Sequence, residues 1–408
     1  MERLKRNIKG YYLYTIFSDL LIIGPIIMVY MLSKGLSFTQ IMLINSISCI
    51  AVVIFEVPTG AISDKLGRKI SMIIGPALWG ISLTMYIFGK GFYSLALAEI
   101  VFALGMTFKS GSDIALIYDS LKAIGREDEF QRIEGKAKAY LLYAQAVGSL
   151  AAGFLYKYNK DLPIIVSIIF MIITIVISFT LYEPPIEDKK GQYGEKYLKQ
   201  IYESGKYVLN HEKLKAIILF LMVFYVFYRE GFFLFQPYFE DVHIPVEYFG
   251  IIFFVFNIVA GLVSNRSHKI IAITKRRSLM FLSSLMIVSF TILGLTKIWI
   301  GVFAMLLQQM ARGLYGPTTR KYLNKYIPSN KRATILSFVS LLTNLAGAVS
   351  YPLLGLIKDK TTIFNTHLIL AAIMFVLTFL TSIYMNKRMG HFNKGIISKD
   401  EKNYTPGV

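Results

Sequence analysis

Apolar residues along this chain fall in long runs, not in the alternation of a half-buried strand or the narrow stripe of a surface helix. Twelve runs can be drawn. Six lie at 10–32, 39–61, 70–89, 92–120, 138–157 and 162–182, and six more at 214–239, 246–264, 278–296, 298–320, 333–357 and 362–386. Each approaches the roughly 20 apolar residues that carry a helix across a bilayer. The pattern predicts an all-α polytopic membrane protein with twelve transmembrane helices. It divides the chain into an N-terminal six-helix bundle (1–182), a cytoplasmic linker (183–213), a C-terminal six-helix bundle (214–386) and a cytoplasmic tail (387–408). The linker opens with Pro184-Pro185, which stops the sixth helix. Tyr197, Leu198, Ile201, Val208 and Leu209 then recur near helical spacing among lysines and glutamates, predicting a short amphipathic helix on the membrane face. The tail shows no periodicity and reads as disordered.

Composition agrees with the runs. Of 408 residues, 55% are hydrophobic and only 17% charged, against about 25% charged in soluble chains, and the mean hydropathy is +0.54. The net charge of +19 would suit nucleic acid, but its placement points elsewhere. Of 44 Lys and Arg, 34 fall on the termini and alternate loops of one side and 7 on the opposite loops, while Lys109, Arg229 and Arg312 lie inside spans. This is the positive-inside distribution, with both termini cytoplasmic in a multi-pass cell-membrane protein. The basic charge thus implies contact with the lipid bilayer and no nucleic-acid partner. Arg3, Lys5, Arg6 and Lys9 before an apolar run resemble a leader peptide. Tyr11–Leu32 is too long, contains Asp19 and has no small-x-small cleavage site, so it reads as an uncleaved first span. Cys49 is the only cysteine and cannot pair within the chain.

A duplication is visible between the halves. After the second span the chain reads Gly60-Ala-Ile-Ser-Asp64-Lys-Leu-Gly67-Arg68-Lys69, and after the eighth Gly261-Leu-Val-Ser-Asn265-Arg-Ser-His268-Lys269, an offset of 201 residues. The first copy resembles the loop-2/3 signature of the major facilitator superfamily. Phe55-Glu56-Val57-Pro58-Thr59, Ser110-Gly111-x-Asp113, Tyr118-Asp119-Ser120, and Asn324 with Arg332-Ala333-Thr334 resemble its bacterial drug-exporter-like branch. The resemblance implies two pseudo-symmetric six-helix bundles around a mid-membrane substrate cavity, opened alternately to each side. It also implies a conformational latch at Asp64 and Arg68. Gly60 would allow close packing of the second helix against the other half, and Gly67 the tight turn. Asp64 would accept hydrogen bonds from a helix N-terminus and pair with Arg68 or with a base on the other bundle. Glu56 and Asp119, near the same end, would support the latch. Two features depart from the family pattern. Val101 stands four residues before Gly105 where an arginine is common, and Gly148–Gly153 lacks the proline of the antiporter motif.

Ionisable residues inside spans cost about 3 kcal/mol or more when unpaired, which makes each a candidate for function. Asp19 sits inside the first span ahead of Gly24-Pro25. It could carry a proton between conformations, neutralise a cationic substrate, or be fixed by a hydrogen bond or by Arg312. Lys109 and Asp113, four apart, share a helix face and could simply pair. Glu99 lies nearer the outer end of the same span. Arg229 and Glu230 are adjacent and point in different directions, so one of them faces the cavity. Arg312 could meet an acid or an anionic substrate group. The seventh span is rich in rings, among them Phe224, Tyr225, Tyr228, Phe232 and Phe233, which suit amphipathic or cationic compounds.

The sequence has no phosphate-binding loop, zinc-ligand cluster or other catalytic motif. Neither an enzyme nor an ATP-driven pump is expected, and neither a cofactor nor a resident metal. The expectation is a monomeric secondary transporter working by alternating access, with proton-coupled efflux of drugs or other amphipathic small molecules as the first reading. A proton-coupled or facilitative importer of a sugar, peptide or small organic acid is the second. A receptor without transport has little support.

Overall fold

The computed structural model describes residues 2–185, 193–327 and 332–389. Among them there are helices and short turns and no strand. The tail beyond 389 lies outside the described residues, as do the side chains of Asp64, Asn324, Arg332 and Ala333.

Among the described residues, ten helical segments are long and apolar enough to span a membrane by length and composition. The two remaining predicted spans, the first and the tenth, depart from a plain apolar helix. The first consists of α1 (Glu2–Ser18), a loose stretch with a 3-10 turn at Gly24–Ile26, and α2 (Ile27–Ser33). Asp19 therefore does not lie inside a helix but at the break that ends α1. Next come α3 (Phe38–Leu66), which starts with a Ser37–Gln40 capping box, and α4 (Arg68–Phe88). The fourth predicted span is also two helices, α5 (Gly91–Lys109) and α6 (Ser112–Ala123). They break at Gly111, whose φ of 78° is left-handed and suits glycine. Lys109 and Asp113 thus sit on different helices, and one shared face is ruled out. The N-terminal half ends with α7 (Phe130–Tyr158) and α8 (Leu162–Thr180).

A helix, α9 (Tyr193–Asn210), occupies the linker region and packs on neighbouring helices of both halves. The C-terminal half contains α10 (Glu212–Asp241), α11 (Phe249–Asn265), a short α12 (Ser267–Thr274), α13 (Ser278–Leu295), α14 (Met305–Tyr326), α15 (Arg332–Lys360) and α16 (Ile363–Met389). The tenth predicted span is a 3-10 turn (Trp299–Ala304) leading into α14. Gln308, Gln309 and Arg312 make α14 too polar to register as a plain apolar crossing.

The halves meet mainly through α3 against α15 and α7 against α11. The hydrogen bonds joining them, among the described residues, lie on the face away from the termini. Asp359 accepts from the Phe38 and Thr39 amides (3.2 and 2.8 Å), and Ser46 donates to the Ala348 carbonyl. Gln236 accepts from the Met28 and Val29 amides (2.8 and 3.3 Å) and donates to the Gly24 carbonyl (3.2 Å). Lys157 pairs with Glu247 at 2.7 Å. Backbones touch here as well: a Cβ at Gly250 would stand 2.0 Å from the Ser149 carbonyl oxygen, and one at Gly153 2.3 Å from that of Val246. Toward the termini no such hydrogen bond joins the halves among the described residues. A Cβ at Gly60 or Gly261 would meet nothing within 4 Å. The expected close packing of Gly60 on the other half is absent in this arrangement, which is sealed on one face.

Candidate functional site

The two broken helices meet at their breaks. Gly75 of α4 and Gly105 of α5 bring those backbones together, since a Cβ on Gly75 would lie 3.0 Å from the Gly105 carbonyl oxygen. This crossing carries Lys109, at the end of α5, to the end of α1, where its ammonium contacts the Asp19 carboxylate. The ion pair joins the two interrupted helices. It excludes Arg312 as the partner of Asp19 and Asp113 as the direct partner of Lys109. The ammonium also lies over the rings of Trp79 (5.2 Å) and Tyr14 (5.9 Å). Trp79 is held by its indole N–H donating to the Phe102 carbonyl (2.9 Å) and by stacking on the Phe102 ring. Gln145 donates to the Asp19 carbonyl (3.0 Å). The Tyr14 and Ser18 hydroxyls beside the pair are buried and take no hydrogen-bond partner among the described residues. Asp113 accepts from its neighbouring Ile114 amide (2.7 Å) and lies within electrostatic reach of Lys109 and Asp19.

A second group of polar residues lies on α10. Tyr225, Tyr228 and Arg229 follow the i, i+3, i+4 spacing of a single helix face. Arg229 lies over Phe233 (5.2 Å) and Phe232 (5.9 Å) and faces Tyr351 of α15. Its charge is felt at Cys49 of α3 and Glu99 of α5, so it points across the junction of the halves. Glu99 is held by Ser48 (3.0 Å) and Tyr86 (2.5 Å), which makes it an interior group. Of the adjacent pair, Arg229 faces the cleft. Glu230 is 4% exposed and turns toward Ser350 within its own half. Arg312 donates to Asn257 (3.0 Å) and Gln309 (3.4 Å), both neutral. Among the described residues no carboxylate lies within ion-pair distance of Arg229 or Arg312.

The loop predicted as a latch is organised within the N-terminal half. Arg68 contacts Asp119 of α6 and donates to the Ala115 carbonyl (2.8 Å). Glu183 caps the N-terminus of α4, its two carboxylate oxygens accepting from the Arg68 and Lys69 amides at 2.8 Å each. Gly67 makes the turn at φ 100°. Glu56 is partly buried, and its carboxylate makes no hydrogen bond or ion pair among the described residues, so it does not join this network. Glu183 and Gln236 were both missed by sequence. Glu183 was grouped with the linker, and Gln236, being uncharged, fell outside a search for ionisable residues. The one signal for Gln236 was a lone amide among rings beside Pro237.

A separate groove of about 440 Å³ lies at the sealed face between Val242–Pro245, α11 and Trp299–Leu306, and it contains none of these ionisable groups. The profile of the Major Facilitator Superfamily matches residues 12–282 and 232–395. The uncharacterized MFS-type transporter YxaM of Bacillus subtilis (strain 168) is 25% identical over 343 residues, covering 83% of this chain and 85% of its own. Among solved structures, the nucleoside transporter NupG superposes with a TM-score of 0.77 at 15% identity, over 93% of this chain and 98% of its own. A D-xylose-proton symporter superposes with a TM-score of 0.70 at 12% identity, over 94% and 96%. An all-α fold, two helical halves joined by hydrogen bonds on one face, and a family match over nearly the whole sequence lead to one assignment: the chain belongs to the Major Facilitator Superfamily and is a membrane transporter.

Proposed function

We propose that this transporter is a secondary active one that works by alternating access, draws on the proton gradient through Asp19, and stands here open toward the cytoplasm. The observation that carries the reading is the Asp19–Lys109 ion pair at the paired breaks of the first and fourth spans. Discontinuous helices at mid-membrane are where transporters of this architecture place ion and substrate sites. A proton taken up by Asp19 neutralises it and releases the Lys109 ammonium. A solute that engages this ammonium then binds together with the proton, which is symport. The carboxylate keeps 30% of its side-chain exposure, through which the proton can arrive. The resemblance in fold to a D-xylose-proton symporter is compatible with this coupling. Both termini would lie in the cytoplasm of a cell-membrane protein, as the lysine and arginine distribution implies. The bundles would divide at the 183–213 linker.

Efflux of amphipathic compounds is the second reading, favoured by the ring-rich face of α10. Proteoliposomes containing a pH-sensitive dye discriminate the two. Organic acids, sugars, nucleosides and cationic dyes are added in turn, and the proton flux is followed. Symport predicts that protons enter with the added solute, and that Asp19→Asn abolishes this flux. Protons leaving as solute enters would establish exchange and overturn the symport reading.

A further inference from the structure

We infer that the solute is a planar organic anion, seated between the Arg229 guanidinium and the ring wall formed by Tyr225, Tyr228 and Tyr315. The inference rests on the transporter reading above and specifies the chemistry of its substrate.

Three observations lead to it. First, Arg229 points across the cleft from a membrane-spanning helix with no carboxylate in ion-pair distance among the described residues; its close neighbours are rings and the Tyr351 hydroxyl. A guanidinium at such depth is expensive unless a charge meets it. Glu230, the acid next to it in sequence, is turned away and buried against α15. Glu99 reaches Arg229 only through space, because its two oxygens are already engaged by Ser48 and Tyr86. The missing counter-charge is therefore best supplied by the solute. Guanidinium suits a carboxylate or phosphate, which it can hold by two parallel hydrogen bonds.

Second, Phe224, Tyr228 and Tyr315 form a near-parallel set of rings on the Arg229 side of α10, while Tyr225 is tilted by 38° to Tyr315 and by 53° to Tyr228. Tyr228 and Tyr315 are inclined by 17° with centroids 6.4 Å apart, and Phe224 and Tyr315 by 18° at 5.2 Å. Tyr225 lies 6.1 Å from Tyr315. Phe224 is buried behind the others, while Tyr225, Tyr228 and Tyr315 keep partial exposure. The two near-parallel tyrosines, Tyr228 and Tyr315, flanked by the tilted Tyr225, offer ring faces and hydroxyl tips that favour a flat apolar body with a polar edge.

Third, the charges facing this cleft argue against a cationic solute. Lys109 and Asp19 neutralise each other, whereas Arg229 has no carboxylate within ion-pair distance among the described residues and feels Glu99 only through space. When Asp19 is protonated, Lys109 loses its ion-pair partner and keeps only the through-space field of Asp113. A cation entering the cleft would meet repulsion in both states. An anion gains in both, and most when the proton is bound.

Four naphthalene-sized probes separate charge from shape: 2-naphthoate, 2-naphthylmethanol, 2-naphthylmethylammonium and the saturated decahydro-2-naphthoate. Their binding to the purified full chain in nanodiscs is measured by calorimetry. The expected order places 2-naphthoate at least tenfold tighter than the neutral and cationic probes, and several-fold tighter than the saturated acid. Arg229→Gln should erase the charge preference, and Arg229→Lys should keep it in part, which shows that the fold is intact. Tyr228→Leu should erase the preference for the planar acid over the saturated one and leave the charge preference in place. Equal binding of all four probes, preference for the ammonium probe, no binding of any, or an unchanged preference in Arg229→Gln would each overturn the inference. Failure of proton coupling is read separately. Asp19→Asn that leaves gradient-driven flux intact removes the coupling proposal while the probe order still stands.

Discussion

Replacing Asp19 by Asn tests the coupling pair in a way that distinguishes a working switch from a structural clamp. The carboxylate retains 30% of its side-chain exposure and the ammonium 11%, so the pair lies between surface and interior. At an effective dielectric constant of about 20, unit charges about 4 Å apart attract by roughly 4 kcal/mol. Partial hydration of Asp19 and the entropy of holding a lysine reduce this to about 2 kcal/mol, or roughly 30-fold in an equilibrium constant. In Asp19→Asn that attraction is permanently absent, and Lys109 stays available without any proton. The expected outcome is threefold: tighter binding of 2-naphthoate by about tenfold, loss of gradient-driven accumulation in proteoliposomes, and retained exchange of solute between two pools at equal pH. Calorimetry and radiolabel counterflow measure these directly. A clamp would give the opposite pattern, with weaker binding and loss of exchange as α1 and α5 come apart. Either weaker binding or accumulation equal to that of the unsubstituted protein would refute the reasoning.

The remaining predictions concern the two faces of the molecule. Glu183→Gln removes the charge that caps α4 through the Arg68 and Lys69 amides; a loss of about 1 kcal/mol is expected, seen as a lower melting temperature by intrinsic fluorescence. Asp359→Ala removes the acceptor of two amides on the sealed face, and should shift the population toward opening there, detected as faster thiol labelling of a Cys placed at Ser46. Gly250→Val should eliminate transport, because its Cβ would collide with the Ser149 carbonyl at 2.0 Å and hold the sealed face apart. Gly60→Leu should leave the melting temperature nearly unchanged, since its Cβ meets open space, yet slow turnover if the second helix packs on the other half when the face near the termini closes.

The spans were legible because a bilayer demands long apolar runs, and a run of that length survives one or two polar interruptions in the reading. For the same reason the breaks were not legible. Asp19 and Ser110-Gly111 each interrupt an apolar stretch that continues on both sides, and a window of about 20 residues averages over them. Gly24-Pro25 did point to a loosened backbone, but the break comes earlier, at the residue drawn to Lys109 from 90 positions away in sequence. Reading Lys109 and Asp113 as a pair failed for a related reason, as i, i+4 geometry presupposes a continuous helix and Gly111 ends it. The loop signature contains Arg68, whose contact with Asp119 lies 51 positions away. It could not show that Glu183, contacting Arg68 across 115 positions, caps the turn. Uncharged ties such as Gln236 leave almost no trace in composition, because one amide among rings has no periodicity to betray it.

How strongly the sealed face is held decides whether the protein can cycle. Seven polar contacts cross it among the described residues: two to Asp359, three at Gln236, one from Ser46 and the Lys157–Glu247 pair. At about 1 kcal/mol net for each, they amount to roughly 7 kcal/mol, before the part that water restores once the face opens. Only one of the seven is an ion pair, and its lysine is largely exposed, so little of the seal depends on a fully desolvated charge. That suits a two-state device, since a buried ion pair broken on every cycle would leave two uncompensated charges at several kcal/mol each. Hydrogen bonds to backbone amides and carbonyls can be exchanged for water at small net cost. The strong electrostatics are kept instead at Asp19 and Lys109, where a proton can switch them, and at Arg229, where a bound solute can meet them. The closing of one face and the occupancy of the centre then become comparable in energy, which is the condition for a solute and a proton to bias the equilibrium between the two.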